Sequence, residues 1–175
     1  MYHGNAVTNY ASPYFDGARK GEINELRQHL KTCLAKKDDK KRLEIIKKVI
    51  SYMTQGIDVS RLFSEMCMAS YTDDMVQKKL IYLYLSTYVE KNQDLAVMAI
   101  NTYLKDCQNN DPKIRGLALR SLSNLKLNSV IEYMMPAIQE AINDMDPYVR
   151  KTAVIACVKL FNLSPSTILS NLYSF

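Results

Sequence analysis

The feature that most constrains the fold of this chain is a short motif that returns after 35 residues. In the run Asp111-Pro112-Lys113-Ile114-Arg115, and again in Asp146-Pro147-Tyr148-Val149-Arg150, Asp111 corresponds to Asp146, Pro112 to Pro147, Ile114 to Val149 and Arg115 to Arg150. Ala118 corresponds to Ala153 in the same register. Each copy opens a helical pattern: proline suits the first helical position, where its missing N–H loses no bond, and the preceding Asp can cap the free amides. A fainter copy lies 37 residues upstream, with Asp74, Lys78 and Leu80 in the places of Asp111, Arg115 and Leu117. Two-helix units of about 35–40 residues mark HEAT and armadillo arrays. The repeat therefore predicts an all-α fold, a HEAT/armadillo-like α-solenoid.

Residues 1–17 have no period and predict a flexible N-terminal arm; residues 18–175 predict the solenoid, as the N-terminal part of a longer trunk. Helical patterning still runs from Ile168 to Phe175, which gives that end the character of a cut face. Apolar periodicity predicts helices over Gly21–Ala35, Lys40–Met53, a short one after Asp58 or Ser60, and Asp74–Val89. Others are expected over Gln93–Cys107, Pro112–Leu125, Val130–Asn143 and Pro147–Leu160, with one more opening at Ser164-Pro165. Pro136 is expected to kink or divide its helix. The Asp74–Val89 helix is apolar over so broad an arc that it predicts burial on two sides. Val76, Leu80, Leu83 and Thr87 are expected inward there, with Tyr82, Tyr84 and Tyr88 on the flanks and their hydroxyls at the rim.

Net charge is +5, but it is local: Arg19 to Lys48 holds 11 basic and 5 acidic residues. Four cysteines lie 34, 40 and 50 residues apart, without metal-ligand spacing, and predict reduced core thiols; no metal and no cofactor is expected. His3 and His29 are isolated, no phosphate loop or zinc-protease motif occurs, and Asp73-Asp74 reads as a helix cap, so no enzyme is expected. Arg115 and Arg150 repeat in register, which leaves two readings: a functional pair, or a structural ladder to a neighbouring repeat's Asp, such as Asp111 or Asp146.

These residues resemble the N-terminal trunk of beta-adaptin, the large chain of heterotetrameric clathrin-adaptor-type complexes. The resemblance is carried by Tyr14-Phe15, Arg19 to Ile23, Lys47 to Ile50, Met53-Thr54, Gly56, Lys78 to Leu85, Lys105 to Cys107, Asp111-Pro112, Ile114-Arg115, Leu117-Ala118, Arg120 and Asp146 to Ala153. Tyr52 to Gly56 and Arg115 to Ser121 lean towards the fourth, clathrin-independent adaptor type, and Tyr14 to Ile23 towards the first and second. The resemblance implies a cytoplasmic scaffold, peripheral on trans-Golgi, endosomal or coated-vesicle membranes. Its implied partners are a second large adaptin, a medium chain and a small chain, with clathrin left open. By match, Lys36, Lys37, Lys40, Lys41, Lys47 and Lys48 are the implied phosphoinositide and membrane contacts. A patch of this charge beside an anionic leaflet supports the same expectation. Val97 and Ile100 are the implied contact for an Arf-family GTPase, or else ordinary packing residues. The alternative is a generic HEAT-repeat scaffold that binds proteins alone, such as a nuclear-transport factor. Nucleic acid is not an expected partner, because the patch is rich in lysine, lacks aromatic residues among its charges and carries no recognition motif.

Overall fold

A computed structural model describes the backbone over residues 13–125, 130–163 and 165, and side chains from residue 21 onward within those ranges. Among the described residues it contains eight α-helices: α1 (Pro13–Lys36), α2 (Asp39–Thr54), α3 (Phe63–Ala69), α4 (Met75–Tyr88), α5 (Ala96–Cys107), α6 (Pro112–Leu122), α7 (Val130–Ile142) and α8 (Pro147–Leu163). Consecutive helices pack as antiparallel-type pairs, α1 with α2, α3 with α4, α5 with α6 and α7 with α8. The pairs stack so that α1, α3, α5 and α7 form a first layer and α2, α4, α6 and α8 a second. This is the α-solenoid that the repeat implies.

All four second-layer helices start in the same way. The side chains of Asp38, Asp74, Asp111 and Asp146 accept backbone N–H bonds in the first turns of α2, α4, α6 and α8, at 2.8–3.1 Å. Pro112 and Pro147 take the first helical positions after two of these caps. A cap of this kind stabilises a helix by about 1 kcal/mol.

Several boundaries and faces differ from expectation. Helix α1 begins at Pro13 rather than Gly21, taking in residues 13–17 of the expected arm. The rest of that arm, residues 1–12, lies outside the described residues, as do residues 166–175, where the helix after Ser164-Pro165 was expected. Helix α7 runs through Pro136 without division. Pro136 and Glu132 are both exposed, so the carbonyl that proline leaves without an N–H partner lies on the solvent side of the helix.

The larger correction concerns α4. Val76 and Leu83 are exposed, at 52% and 50%, whereas Tyr82, Tyr84 and Tyr88 are buried. Contacts with α2, α3 and α6 select the arc that holds Gln77, Lys78, Ile81, Tyr82, Tyr84, Leu85 and Tyr88. The tyrosine hydroxyls are not at a rim. Tyr84 donates to the Val59 carbonyl at 2.6 Å, Tyr82 donates to the Asp106 carboxylate, and Tyr103 of α5 donates to the Tyr82 carbonyl at 3.3 Å. Ile142 and Val154, expected inward, are likewise exposed, at 44% and 58%.

Of the two repeated arginines, Arg115 forms a rung of a structural ladder, but to an acid other than Asp111 or Asp146, and Arg150 pairs with no acid among the described residues. Arg115 holds Asp144 through two bonds, Nε to Oδ2 at 2.8 Å and a second guanidinium nitrogen to Oδ1 at 2.7 Å. It also donates to the carbonyls of Asn109 and Asn110, at 2.9 and 3.0 Å. Arg150 repeats that last contact 35 residues on, donating to the carbonyls of Asp144 and Met145, both at 2.8 Å. Asp111 and Asp146 are occupied as caps, which leaves Asp144, in the turn after α7, to face Arg115. One repeat earlier Lys78 occupies the arginine's place. Its ammonium, 2% exposed, lies 2.6 Å from Asp106 Oδ2 and donates to the Ser70 carbonyl at 3.1 Å. Each rung thus joins a second-layer helix to the C-terminal end of the next first-layer helix.

Removing one partner of a buried ion pair strands the other charge, at a cost of about 3–5 kcal/mol. Asp106→Ala, which leaves Lys78 without its counter-ion and Tyr82 without its acceptor, is expected to lower unfolding free energy by that amount in chemical denaturation. For Asp144, the Arg115 side-chain bonds hold the carboxyl below its ordinary value despite burial. A depressed carboxylate contributes stability that is complete above the unfolded value, near pH 4, and is lost as pH falls through the folded value. Asp144→Asn is therefore expected to destabilise the chain at neutral pH and to flatten its loss of stability as pH falls below about 4; an unchanged acid profile would contradict this role.

Candidate functional site

The lysines singled out by sequence come together around the N-terminal end of α2. Lys36 ends α1, Lys37 makes the turn, Lys40 and Lys41 lie in the first turn of α2, and Lys47 and Lys48 follow two turns on; all six are exposed. Residues seven apart on a helix differ by only about 20° in direction, so Lys40 stands over Lys47, and Lys41 over Lys48, about 10 Å apart along the axis. The buried face of α2, Arg42, Ile46 and Val49, points the other way. Glu44 lies between the two lysine columns, and Lys48 sits over the Tyr52 ring at 5.6 Å.

The turn itself is strained. Lys37 has φ 54°, in the left-handed region, and the Asp38 N–H donates to the Cys33 carbonyl at 3.1 Å, closing α1 in a Schellman-type bend. Glycine normally fills this position, because a side chain there costs roughly 1–2 kcal/mol. The chain instead places a lysine at the apex of its most basic stretch. Asp38 caps α2 and lies 3.8 Å from the Lys41 ammonium.

Not every cation in this stretch is available. Arg42 is 5% exposed; it donates from Nε to Gln77 at 2.6 Å and pairs with Asp39, also at 2.6 Å. Arg27 and Lys31 of α1 lie 3.5 and 3.4 Å from the buried carboxylate of Glu65. These three tie α1 to α3 and α2 to α4. A count of charges along the sequence cannot separate such members from solvated ones, although Arg42 falls on the Ile46–Val49 face, which a helical projection reveals.

The second candidate pair is divided. On α5, Val97 is 51% exposed, whereas Ile100 is 1% exposed and packs in the core. The two do not form one exposed contact: Ile100 belongs to the stripe Ala96, Ala99, Ile100 and Tyr103 that faces inward. Asp111, Pro112, Arg115, Asp146, Pro147 and Arg150 are the caps and rungs already described.

Burial pushes the thiols of Cys67 and Cys107 up to about 12, which keeps them protonated and poorly nucleophilic at neutral pH. Among the described residues no group of three His, Cys, Asp or Glu side chains is placed to hold a metal ion. Among the same residues no helix is long and apolar enough to cross a membrane.

Comparison with known proteins gives these features a context. The family model described as the adaptin N-terminal region matches residues 22–172. Beta-adaptin-like protein A of Arabidopsis thaliana is 43% identical over 93% of this chain and 20% of its own length. AP-1 complex subunit beta-1 of Homo sapiens is 42% identical over 87% of this chain and 16% of its own. AP-4 complex subunit beta-1 of Mus musculus is 44% identical over 81% of this chain and 19% of its own. The chain thus spans a fifth or less of the length of these relatives. With a two-layer helical solenoid and a family match over nearly all of its length, the chain belongs to the adaptin family, as a beta-adaptin N-terminal region.

Proposed function

We propose that this chain is a non-catalytic scaffold of a vesicle-coat adaptor complex in intracellular protein transport. In this reading it assembles with a second large adaptin, a medium chain and a small chain, and helps dock that core on anionic, phosphoinositide-bearing membrane from the cytoplasmic side. The observation that carries the assembly reading is the match to the adaptin N-terminal region over residues 22–172, with relatives whose names place them as beta subunits of such complexes. The membrane reading is supported by six exposed lysines around one helix start, one of them held in a conformation that glycine would adopt at lower cost. A GTPase contact on α5 would centre on exposed Val97, with Ile100 acting from beneath it as packing. Golgi and endosomal membranes are the proposed locations, and clathrin is not required by any of these contacts.

Affinity purification of the protein from its own cell, with the co-purifying chains identified by mass, tests the assembly. Another large adaptin together with a medium and a small chain is the expected result; nuclear-transport cargo in their place would favour the generic HEAT scaffold. The membrane reading is tested on phosphatidylcholine vesicles with and without phosphoinositide. Exchanging Lys36, Lys37, Lys40 and Lys41 for Glu is expected to abolish the phosphoinositide-dependent binding, each lysine near an anionic surface contributing about 1 kcal/mol, while helical circular dichroism stays unchanged. Binding that survives at physiological salt would refute the patch. The single exchange Lys37→Gly separates two effects: it is expected to raise stability by about 1 kcal/mol by relieving the left-handed backbone and yet weaken vesicle binding.

A further inference from the structure

Charge in this molecule is sorted by layer. The second-layer helices α2, α4, α6 and α8 contain thirteen Lys or Arg residues against two acids, whereas the first-layer helices contain six against seven. Helices α4, α6 and α8 contain no acid at all. Some of these cations are engaged: Lys78 and Arg115 in the ladder, and Arg150 on loop carbonyls. Three others gather at the junction of α6 and α8. Arg120, Lys151 and Lys159 line a cavity of about 330 Å³ between the two helices, and none of them forms an ion pair among the described residues.

The hydrogen-bond inventory of this cavity is one-sided. Lys159 donates to the Asn124 side chain, with a weak 3.5 Å contact to Ser123 Oγ. The Ser123 hydroxyl directs its proton to the Arg120 carbonyl at 2.8 Å, and Thr152 directs its own to the Tyr148 carbonyl at 2.8 Å. Among the described residues the Arg120 guanidinium, the Lys151 ammonium, the third proton of Lys159 and the Tyr148 hydroxyl have no protein acceptor, and Arg120, Lys151 and Tyr148 are exposed, open to solvent and to a ligand alike. No carboxylate lines the cavity. Burial, with Arg120 adding to it, holds the Lys159 ammonium below its ordinary value, a crowding of like charge that a bound anion relieves.

Tyr148 is also the wall of a second opening. Its ring lies against the backbone of Gly116, where any Cβ would overlap it. On its other side is a groove of about 430 Å³ with an apolar floor of Met75, Pro112 and Leu117, and Lys79 and Lys113 at its edges. The one carboxylate there, Asp146, is occupied as the cap of α8. A free phosphate would satisfy the cations but leave this groove empty, and a ligand that fills both openings must carry an oxyanion next to a bulky apolar group.

We propose that the α6–α8 junction binds an acidic peptide segment of a partner protein, with a Glu or Asp carboxylate held by Arg120, Lys151 and Lys159 and an apolar side chain lodged across Tyr148 in the Met75–Leu117 groove. The carboxylate accepts the charge-assisted bonds that the cavity leaves open, and the apolar neighbour covers the groove floor. The site is separate from the α2 lysines and does not depend on the adaptor reading.

The test is a titration of the full chain, followed by backbone amide NMR at physiological salt, with three short synthetic peptides and with inorganic phosphate. The peptides alternate Glu with Phe, Gln with Phe, and Glu with Ser. The Glu/Phe peptide is expected to shift amides around Arg120, Tyr148, Lys151 and Lys159, and to bind at least about tenfold more tightly than either of the others, a difference of about 1.4 kcal/mol. Arg120→Gln with Lys159→Gln is expected to weaken it by about tenfold or more. Lys151→Gln, which breaks no bond within the fold, is expected to weaken it several-fold with thermal stability unchanged. Equal binding of the Glu/Ser peptide, shifts confined to the α2 lysines, or no shifts at all would overturn the proposal. So would phosphate shifting the junction amides while the Glu/Phe peptide does not, since the site would then belong to a phosphate.

Discussion

The second two-helix unit of this solenoid is held to the third, and the third to the fourth, by a cation that leaves its own layer. Lys78 and Arg115 each extend from a second-layer helix to an acid at the far end of the following first-layer helix, Asp106 or Asp144. Hydrophobic contact between stacked helices is non-directional and tolerates a slide of a turn or a rotation of the stripe. A bidentate or fully buried ion pair tolerates neither. Such a pair adds little net stability over an apolar pair of equal volume, because both charges lose water. Its contribution is position: it sets how far one repeat is rotated and translated against the next. The tyrosines of α4 and α5 reinforce that setting, the Tyr82 and Tyr103 rings meeting edge-on at 4.7 Å while their hydroxyls reach an acid and a backbone carbonyl.

The repeat was legible because Asp-Pro is a local signal. An N-cap followed by a residue that cannot donate starts a helix wherever it lies, so spacing alone revealed the unit length and the all-helical fold. The rung acid was not legible, because Asp144 stands just outside the repeated motif and closer acids in the motif, Asp111 and Asp146, were occupied as caps. Faces were hardest to read where a helix is apolar nearly all round. On α4 the aliphatic Val76 and Leu83 face solvent and three tyrosines face inward, a choice made by three neighbouring helices rather than by side-chain polarity. The basic patch was readable as a charge run, yet Arg42 within it is a core residue that pairs with α4. Lys37 gave no sign at all, since nothing in a run of lysines tells which one turns the backbone left-handed.

The cations of this chain fall into three populations with different physical roles. Lys78, Arg42 and, in part, Arg115 are removed from water and fix helices against one another. The six lysines around the start of α2 lie exposed on the surface. Arg120, Lys151 and Lys159 are intermediate, gathered in a cavity with few acceptors of its own. The proportion of charge in the composition is ordinary; its division among these settings separates the cations spent within the fold from those left on its surface.

The sorting of charge by layer has a kinetic consequence. With thirteen cations on the helices of one layer, still thirteen against six acids when the four cap aspartates are counted with them, and a near-balance on the other, the helix charges are polarised across the thickness of the solenoid. An anionic surface exerts a torque on such a body, but only within a few screening lengths, each about 8 Å at physiological ionic strength. A body with this charge distribution would meet such a surface second layer foremost, oriented before any side chain touched it.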